Sequence, residues 1–237
     1  MSMIEGFLLK VRKAETPFYA RLKSAGKSVM HANVAIPAPV LSIYKLFSFI
    51  RLTVRLTWSH LAIMLYRAPT FRSRCVSIGR HLAIERIPYI VGAPRIHIGN
   101  NVRISGVMKI AGGRTFDDPE IVIGNDVFIG NRTTFIVAKQ IIVEDGVGIA
   151  AECLIADNDG HPLDAESRLK GLPPSPHEVK PVRICRNAWL SHGCYVLKGV
   201  TIGEGSVIGV GSVVMSDVPP FCVAMGNPAR VVQRLKG

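Results

Sequence analysis

The sequence predicts an all-β fold: a parallel β-helix wound from six-residue repeats, with a helical segment before it and a short helix after it. Three observations carry that expectation. A large apolar residue returns every sixth position through much of the chain. A small or β-branched residue recurs four places after most of these anchors. The cationic charge is concentrated in the first third, so the repeating region is close to neutral. The chain has 237 residues, 48% of them hydrophobic, which is enough to fill a core.

The N-terminal segment comes first. Residues 1–75 hold 12 Lys or Arg against two acids, Glu5 and Glu15, and no acid occurs again before Glu85. A segment of that sign favours a polyanionic partner. Within it, residues 41–66 place Ile43, Phe47, Ile50, Val54, Trp58, Leu61 and Leu65 on one helical face, with Lys45, Arg51 and Arg55 opposite. The longest uncharged run, Leu56 to Tyr66, is too short to span a bilayer. Two readings stand: a cap on the β-helix or between subunits, and an in-plane contact with a membrane. No recognisable nucleic-acid module frames the basic residues, so no nucleic-acid partner is expected. The start of the chain does not read as a signal peptide. Five cysteines, an odd number with no metal-knuckle spacing, predict free thiols in the cytoplasm.

The repeat region follows. Fifteen anchors keep the six-residue frame: Ile98, Ile104 and Ile110; Ile123, Ile129 and Phe135; Val143, Ile149 and Ile155; Ile184, Leu190 and Val196; Ile202, Ile208 and Val214. A period of six fits neither a helix nor a plain strand. It fits a chain that makes one short strand, turns and repeats, so that three strands close a triangular coil. Coils then stack at the inter-strand spacing of roughly 4.8 Å, with the anchors inward. Five coils are expected, near 98–115, 123–140, 143–160, 184–201 and 202–218, within a β-helix domain at 96–218. Residues 1–95 form the N-terminal segment. Two breaks in the frame, 112–120 and 157–181, read as loops. Beyond them, Val218-Pro219-Pro220 ends the strand pattern. In the C-terminal extension 219–237, Pro228 reads as the first turn of a short helix running to Leu235.

The loop that leaves the coil after Ile155 carries the chemistry. Its start is Ala-Asp-Asn-Asp-Gly-His-Pro-Leu-Asp at 156–164. Gly160 permits a tight turn, and Pro162 restricts His161 to extended backbone. An imidazole titrates near neutral pH and can take a proton from an attacking hydroxyl. Asp157, Asp159 or Asp164 could orient it. A loop histidine can equally be inert.

Three stretches decide how to weigh this: residues 159–164 (DGHPLD), 187–214 (NAWLSHGCYVLKGVTIGEGSVIGVGSVV) and 217–232 (DVPPFCVAMGNPARVV). Through them, residues 97–236 resemble the hexapeptide-repeat acyltransferases, in particular the maltose, galactoside, nodulation-factor and polysaccharide O-acetyltransferases. The resemblance implies a left-handed parallel β-helix, a homotrimer with active sites between subunits, and acetyl-CoA as co-substrate without a metal. It implies direct transfer of the acetyl group to a sugar or glycan hydroxyl, with His161 as general base. Asn131 and Asp159 would meet the acceptor. Ser191, His192, Gly209, Val210, Ser216 and Arg230 would meet CoA. The sequence departs from the pattern at Met215-Ser216, where Thr-Lys is common, and at Ser191-His192, where Gly-Ala or Gly-Ser is common. The N-terminal third does not match the helical domain of the maltose type, and a cationic segment suits a lipid-linked or polymeric glycan. The alternatives are a non-catalytic β-helix scaffold and a carbonic anhydrase-like metalloenzyme on the same coil.

Overall fold

The computed structural model describes residues 3–30 and 36–236; the parts of the N-terminal segment at 1–2 and 31–35, and residue 237, lie outside the described residues. The chain divides into two units, residues 1–56 and 57–237.

The first unit is helical. Helices α1 (Met3–Lys13) and α2 (Pro17–Met30) pack on one another, with the Phe7 and Tyr19 rings edge to face at 5.9 Å. The Lys23 ammonium donates to the carbonyl of Arg12 at 2.7 Å. Helix α3 (Ala38–Ala62) begins in this unit and ends in the second, and it contains no buried residue.

In the second unit α3 gives way to a wide helical turn, Ile63–Arg67, and a short helix α4, Ala68–Arg72. Phe71 of α4 is fully buried and joins the core of the β-helix, with Ala68 and Cys75 packed beside it. The Arg67 guanidinium donates to the carbonyl of Glu85, and that of Arg74 to Gly92 at 3.1 Å. This short helix therefore caps the first coil.

The β-helix has three faces of stacked parallel strands. The first holds Ser77–Ile78, Arg95–Ile98, Glu120–Ile123, Gln140–Val143, Val182–Ile184 and Thr201–Ile202. The second begins with Ala83–Ile84, Arg103–Ile104, Phe128–Ile129, Gly148–Ile149, Trp189–Leu190 and Val207–Ile208. The third holds Tyr89–Val91, Lys109–Gly112, Thr134–Val137, Leu154–Ala156, Tyr195–Val196 and Val213–Val214. The coil is a left-handed β-helix. All fifteen predicted anchors are buried, each level with its counterpart one coil away, as in Ile104↔Ile129 and Ile129↔Ile149.

Two boundaries differ from the sequence reading. The β-helix begins at Ser77, not near residue 96, and has six coils, not five. Ile78, Ile84 and Ile90 extend the six-residue frame upstream. Ile78 and Ile90 are only partly buried, and Arg80, His81, Glu85 and Arg86 flank them, so the pattern is weaker at this end. The second difference is at the C-terminus. The helix expected from Asn227 to Leu235 is instead the strand Ala229–Arg234, antiparallel to Cys222–Gly226, which itself extends the second face. The open edge of that face offers unpaired backbone groups, and the β-branched pair Val231-Val232 suits a strand. Pairing at an edge outweighed the helix-start signal of Pro228.

The corners obey a close-packing rule. Between the first and second faces, a Cβ on Gly99 would lie 2.5 Å from the backbone of Gly124, so only glycine lets successive coils approach there. Beside it, the side-chain oxygens of Asn100, Asn125 and Asp145 accept the N–H groups of Arg80, Asn100 and Asn125, at 2.8, 2.9 and 2.6 Å. These bonds satisfy corner donors that no strand can reach.

Candidate active site

The loop 157–181 leaves the third face after Ala156 and returns to the first face at Val182. Its two ends are closed by one hydrogen bond, from Lys180 N–H to the carbonyl of Asp157 at 2.9 Å. Asp157 is fully buried, and its carboxylate accepts the backbone N–H groups of Ala138, Lys139 and Gln140 at 2.7, 2.7 and 2.8 Å. Asn158 donates to Asp157 at 2.7 Å and accepts the N–H of Gly160 at 2.7 Å. The base of the loop is thus a buried polar knot with its groups paired.

His161 stands exposed immediately after this knot. Gly160 before it has φ of 80°, a left-handed turn that glycine makes freely. Pro162 after it is buried, and its carbonyl accepts Arg168 Nη1 at 3.0 Å. The next N–H, of Leu163, donates to Glu178 Oε1 at 2.9 Å. The Ser175 hydroxyl and the N–H groups of Leu163 and Ser175 hold the Glu178 carboxyl down to about 2. Asp164 caps the helix Ala165–Leu169 through the Ser167 N–H at 2.7 Å, which holds its carboxyl below the usual carboxylate range. His161 therefore sits in a short span whose flanks are fixed on both sides. The loop also meets the connection 113–119: Thr115 Oγ1 donates to Pro174 O and Arg114 Nη2 to Gly171 O, both at 2.9 Å.

The three aspartates considered as partners for the imidazole are engaged elsewhere. Asp157 binds backbone, Asp164 caps a helix, and Asp159 forms an ion pair with Lys198. Lys198 lies at the corner between the third and first faces, as do Ser216 and the loop itself.

The remaining candidate residues gather on the opposite edge of the third face, at its corner with the second. Asn131, Ser191 with His192, and Gly209 with Val210 occupy that corner in the third, fifth and sixth coils. Gly211 N–H donates to the carbonyl of His192 at 2.9 Å, and Ser191 N–H to Ile208 O at 2.9 Å. A Cβ on Gly209 would lie 2.7 Å from that of Met225, whose strand partner is Arg230, so Arg230 tops the same column. Asn131 Oδ1 accepts the Val107 N–H at 2.9 Å; the left-handed residue at this corner is Arg132, with φ of 60°, not Asn131. Asn131 thus bonds to the coil before it and presents its amide at an exposed corner.

A family match joins the coil geometry to known proteins. Residues 181–215, which run through the fifth and sixth coils, match the family described as bacterial transferase hexapeptide (six repeats). The chain is also 38% identical over 119 residues to a Saccharomyces cerevisiae protein, YJL218W, whose name assigns it provisionally to the acetyltransferases. The match takes in 47% of this chain and 58% of that relative, so the chain spans little more than half of the relative's length. Its fold is similar to a galactoside acetyltransferase solved in complex with coenzyme A, with TM-score 0.51 and 28% identity over 72% of this chain and 70% of that one. It is also similar to a maltose O-acetyltransferase from Clostridium difficile 630, with TM-score 0.50 and 26% identity over 72% of this chain and 75% of that one.

Two features of this region escaped the sequence reading. Up the corner that carries Asn131 and His192 runs a ladder of charge: Arg132 pairs with Glu152, and Glu152 faces His192 Nε2 at 3.5 Å. Beside it lies a depression of about 330 Å³ lined by Arg132, Thr134, Glu152, Cys153, Leu154 and Tyr195. The second is Lys198, partner of Asp159. Both pairings join residues one coil apart, and the signal for them is the coil offset and not any local motif. The thiols of Cys153 and Cys194 are buried among the core anchors. A hydrogen bond with Cys194, together with burial, pushes the Cys153 thiol up, away from the nucleophilic thiolate. Among the described residues, no three His, Cys, Asp or Glu side chains gather as a metal site requires.

Proposed function

We propose that this protein is an O-acetyltransferase that moves an acetyl group from acetyl-CoA to a hydroxyl of a sugar or glycan, with His161 as general base. The observation that carries the reading is the fixing of His161 between the Asp157–Asn158 knot and the Pro162–Leu163 braces, on a coil similar to a CoA-binding galactoside acetyltransferase. The maltose O-acetyltransferase likeness supports a hydroxyl acceptor.

Acetyl-CoA supplies an activated acyl group as a thioester. His161 takes the proton of the acceptor hydroxyl as its oxygen bonds to the acyl carbon. When the carbon–sulfur bond breaks, His161 returns that proton to the departing thiolate, so the imidazole ends as it began. Backbone N–H groups at the corners stand at regular steps and can hold the acyl oxygen as charge develops on it. Ser191, His192, Gly209, Val210 and Arg230 line one column fit for an extended arm ending in phosphates, with Arg230 the phosphate partner. Ser216 would meet CoA from the other edge of the third face. Asn131 and Asp159 would hold the acceptor, Asp159 with its position set by Lys198.

The proposed base and the proposed CoA column lie at opposite edges of one face, and that separation supports a homotrimer in which one copy's loop faces the next copy's column. The acceptor is a lipid-linked or cell-surface glycan in this reading, and the protein works in the cytoplasm at the membrane periphery. The test is thiol release from acetyl-CoA against a panel of glycans. His161→Ala should lower kcat by about 10²- to 10⁴-fold with the circular dichroism spectrum unchanged. Turnover within about threefold of the natural protein would remove His161 from the mechanism.

A further inference from the structure

We propose that α3 and the turn after it, residues 38–67, form a docking surface for an anionic lipid bilayer and lie in the plane of its headgroups. Helix α3 is about 37 Å long at 1.5 Å per residue, and none of its residues is buried. Phe47 is 66% exposed, Trp58 72% and, in the following turn, Leu65 78%. Ile43, Ile50, Val54 and Leu61 are exposed along the same face as Phe47 and Trp58. A water-facing helix does not ordinarily leave a continuous apolar row of this length uncovered.

The charge selects the occupant. Arg51 and Arg55 flank one edge of the apolar row, Lys45 lies across the helix from it, and the sequence holds no acid from residue 16 to 84. A second copy of this segment would cover the apolar row but bring further cations and no acids. A nucleic acid would accept the cations but leave the apolar row in water. An anionic bilayer meets both needs: acyl chains receive the apolar row, and headgroup phosphates and carboxylates receive the cations. Tyr44, Trp58 and Tyr66 are exposed rings with a polar tip, suited to the headgroup level. No described helix is long and apolar enough to cross a membrane, which leaves the in-plane arrangement. None of this depends on the acetyl transfer proposed above.

Flotation of the full chain with vesicles tests it. Vesicles of phosphatidylcholine with about a third phosphatidylserine should carry the protein up the gradient, and binding should fall as salt rises to about 0.5 M. Vesicles of phosphatidylcholine alone should retain far less. Combined Lys45→Glu, Arg51→Glu and Arg55→Glu should weaken anionic binding by about a hundredfold or more. Phe47→Ser with Trp58→Ser should weaken it on both compositions. Each variant is checked by circular dichroism and by sedimentation mass. Three results overturn the proposal. One is no flotation of the natural chain with anionic vesicles. Another is equal flotation on both compositions that survives charge reversal. The third is a drop in sedimentation mass on Phe47→Ser with Trp58→Ser while flotation is unchanged, which assigns the row to self-association.

Discussion

Asp157 shows how a residue can shape a candidate site through the backbone it holds. Its carboxylate is buried and holds three consecutive backbone N–H groups of the strand start at 138–140. Asp157→Ala would leave those donors without their acceptor, at about 1 kcal/mol or more apiece, so unfolding free energy should fall by about 3 kcal/mol. Denaturant titration measures this, and limited proteolysis should show earlier cleavage in 157–181. A loss below about 1 kcal/mol would mean that water replaces the carboxylate fully. The sequence singled out this aspartate as a possible orienter of His161, because a carboxylate near a histidine is a familiar pairing. What it could not display is that the backbone of the preceding coil corner competes for the same oxygens. The constraint on His161 was legible, since Gly and Pro on either side mark a restricted backbone without any knowledge of the fold; its proposed role came from the resemblance and not from the loop itself. Lys198 was not legible as the partner of Asp159. The two lie 39 residues apart, and their meeting depends on how far the intervening loop returns.

At the scale of elements, periodicity was a reliable guide wherever a residue had neighbours above and below. Every anchor of the frame from Ile98 to Val214 is buried. The ends were harder, because a terminal coil lacks one neighbour and its sequence must also satisfy solvent. That is where the reading lost the coil at 77–91 and took the final strand for a helix. The cap at the N-terminal end rests on one aromatic residue, Phe71. Phe71→Ala should cost about 3–5 kcal/mol. In a stacked array each coil depends on its neighbours, so the loss should be local. Hydrogen exchange should quicken in residues 77–91 and stay unchanged in 182–214. Uniformly faster exchange along the whole coil would show that the cap is not a local device.

For the whole molecule, the division of the proposed site between two edges of the third face makes a prediction that a self-contained site would not share. His161 lies on one edge and Asn131 on the other. If sites form between copies, His161→Ala and Asn131→Ala chains, each inactive alone, should regain activity when unfolded together and refolded as mixed trimers. Random assembly of equal amounts restores roughly a quarter of the sites. Thiol release from acetyl-CoA by the mixture measures this, and a mixture no more active than its parts would mean that the two residues serve a site within one copy, or do not share a site at all. The arrangement of the loop has a further consequence for how such a molecule can diversify. Because Lys180 N–H closes on the carbonyl of Asp157, the chain leaves and rejoins the coil at nearly the same point. The span between them is a cassette: its length and composition can be exchanged without altering the register of Ile155 against Val196. A molecule built this way can exchange that loop while its framework stays untouched, and a designer can graft new loops at one place.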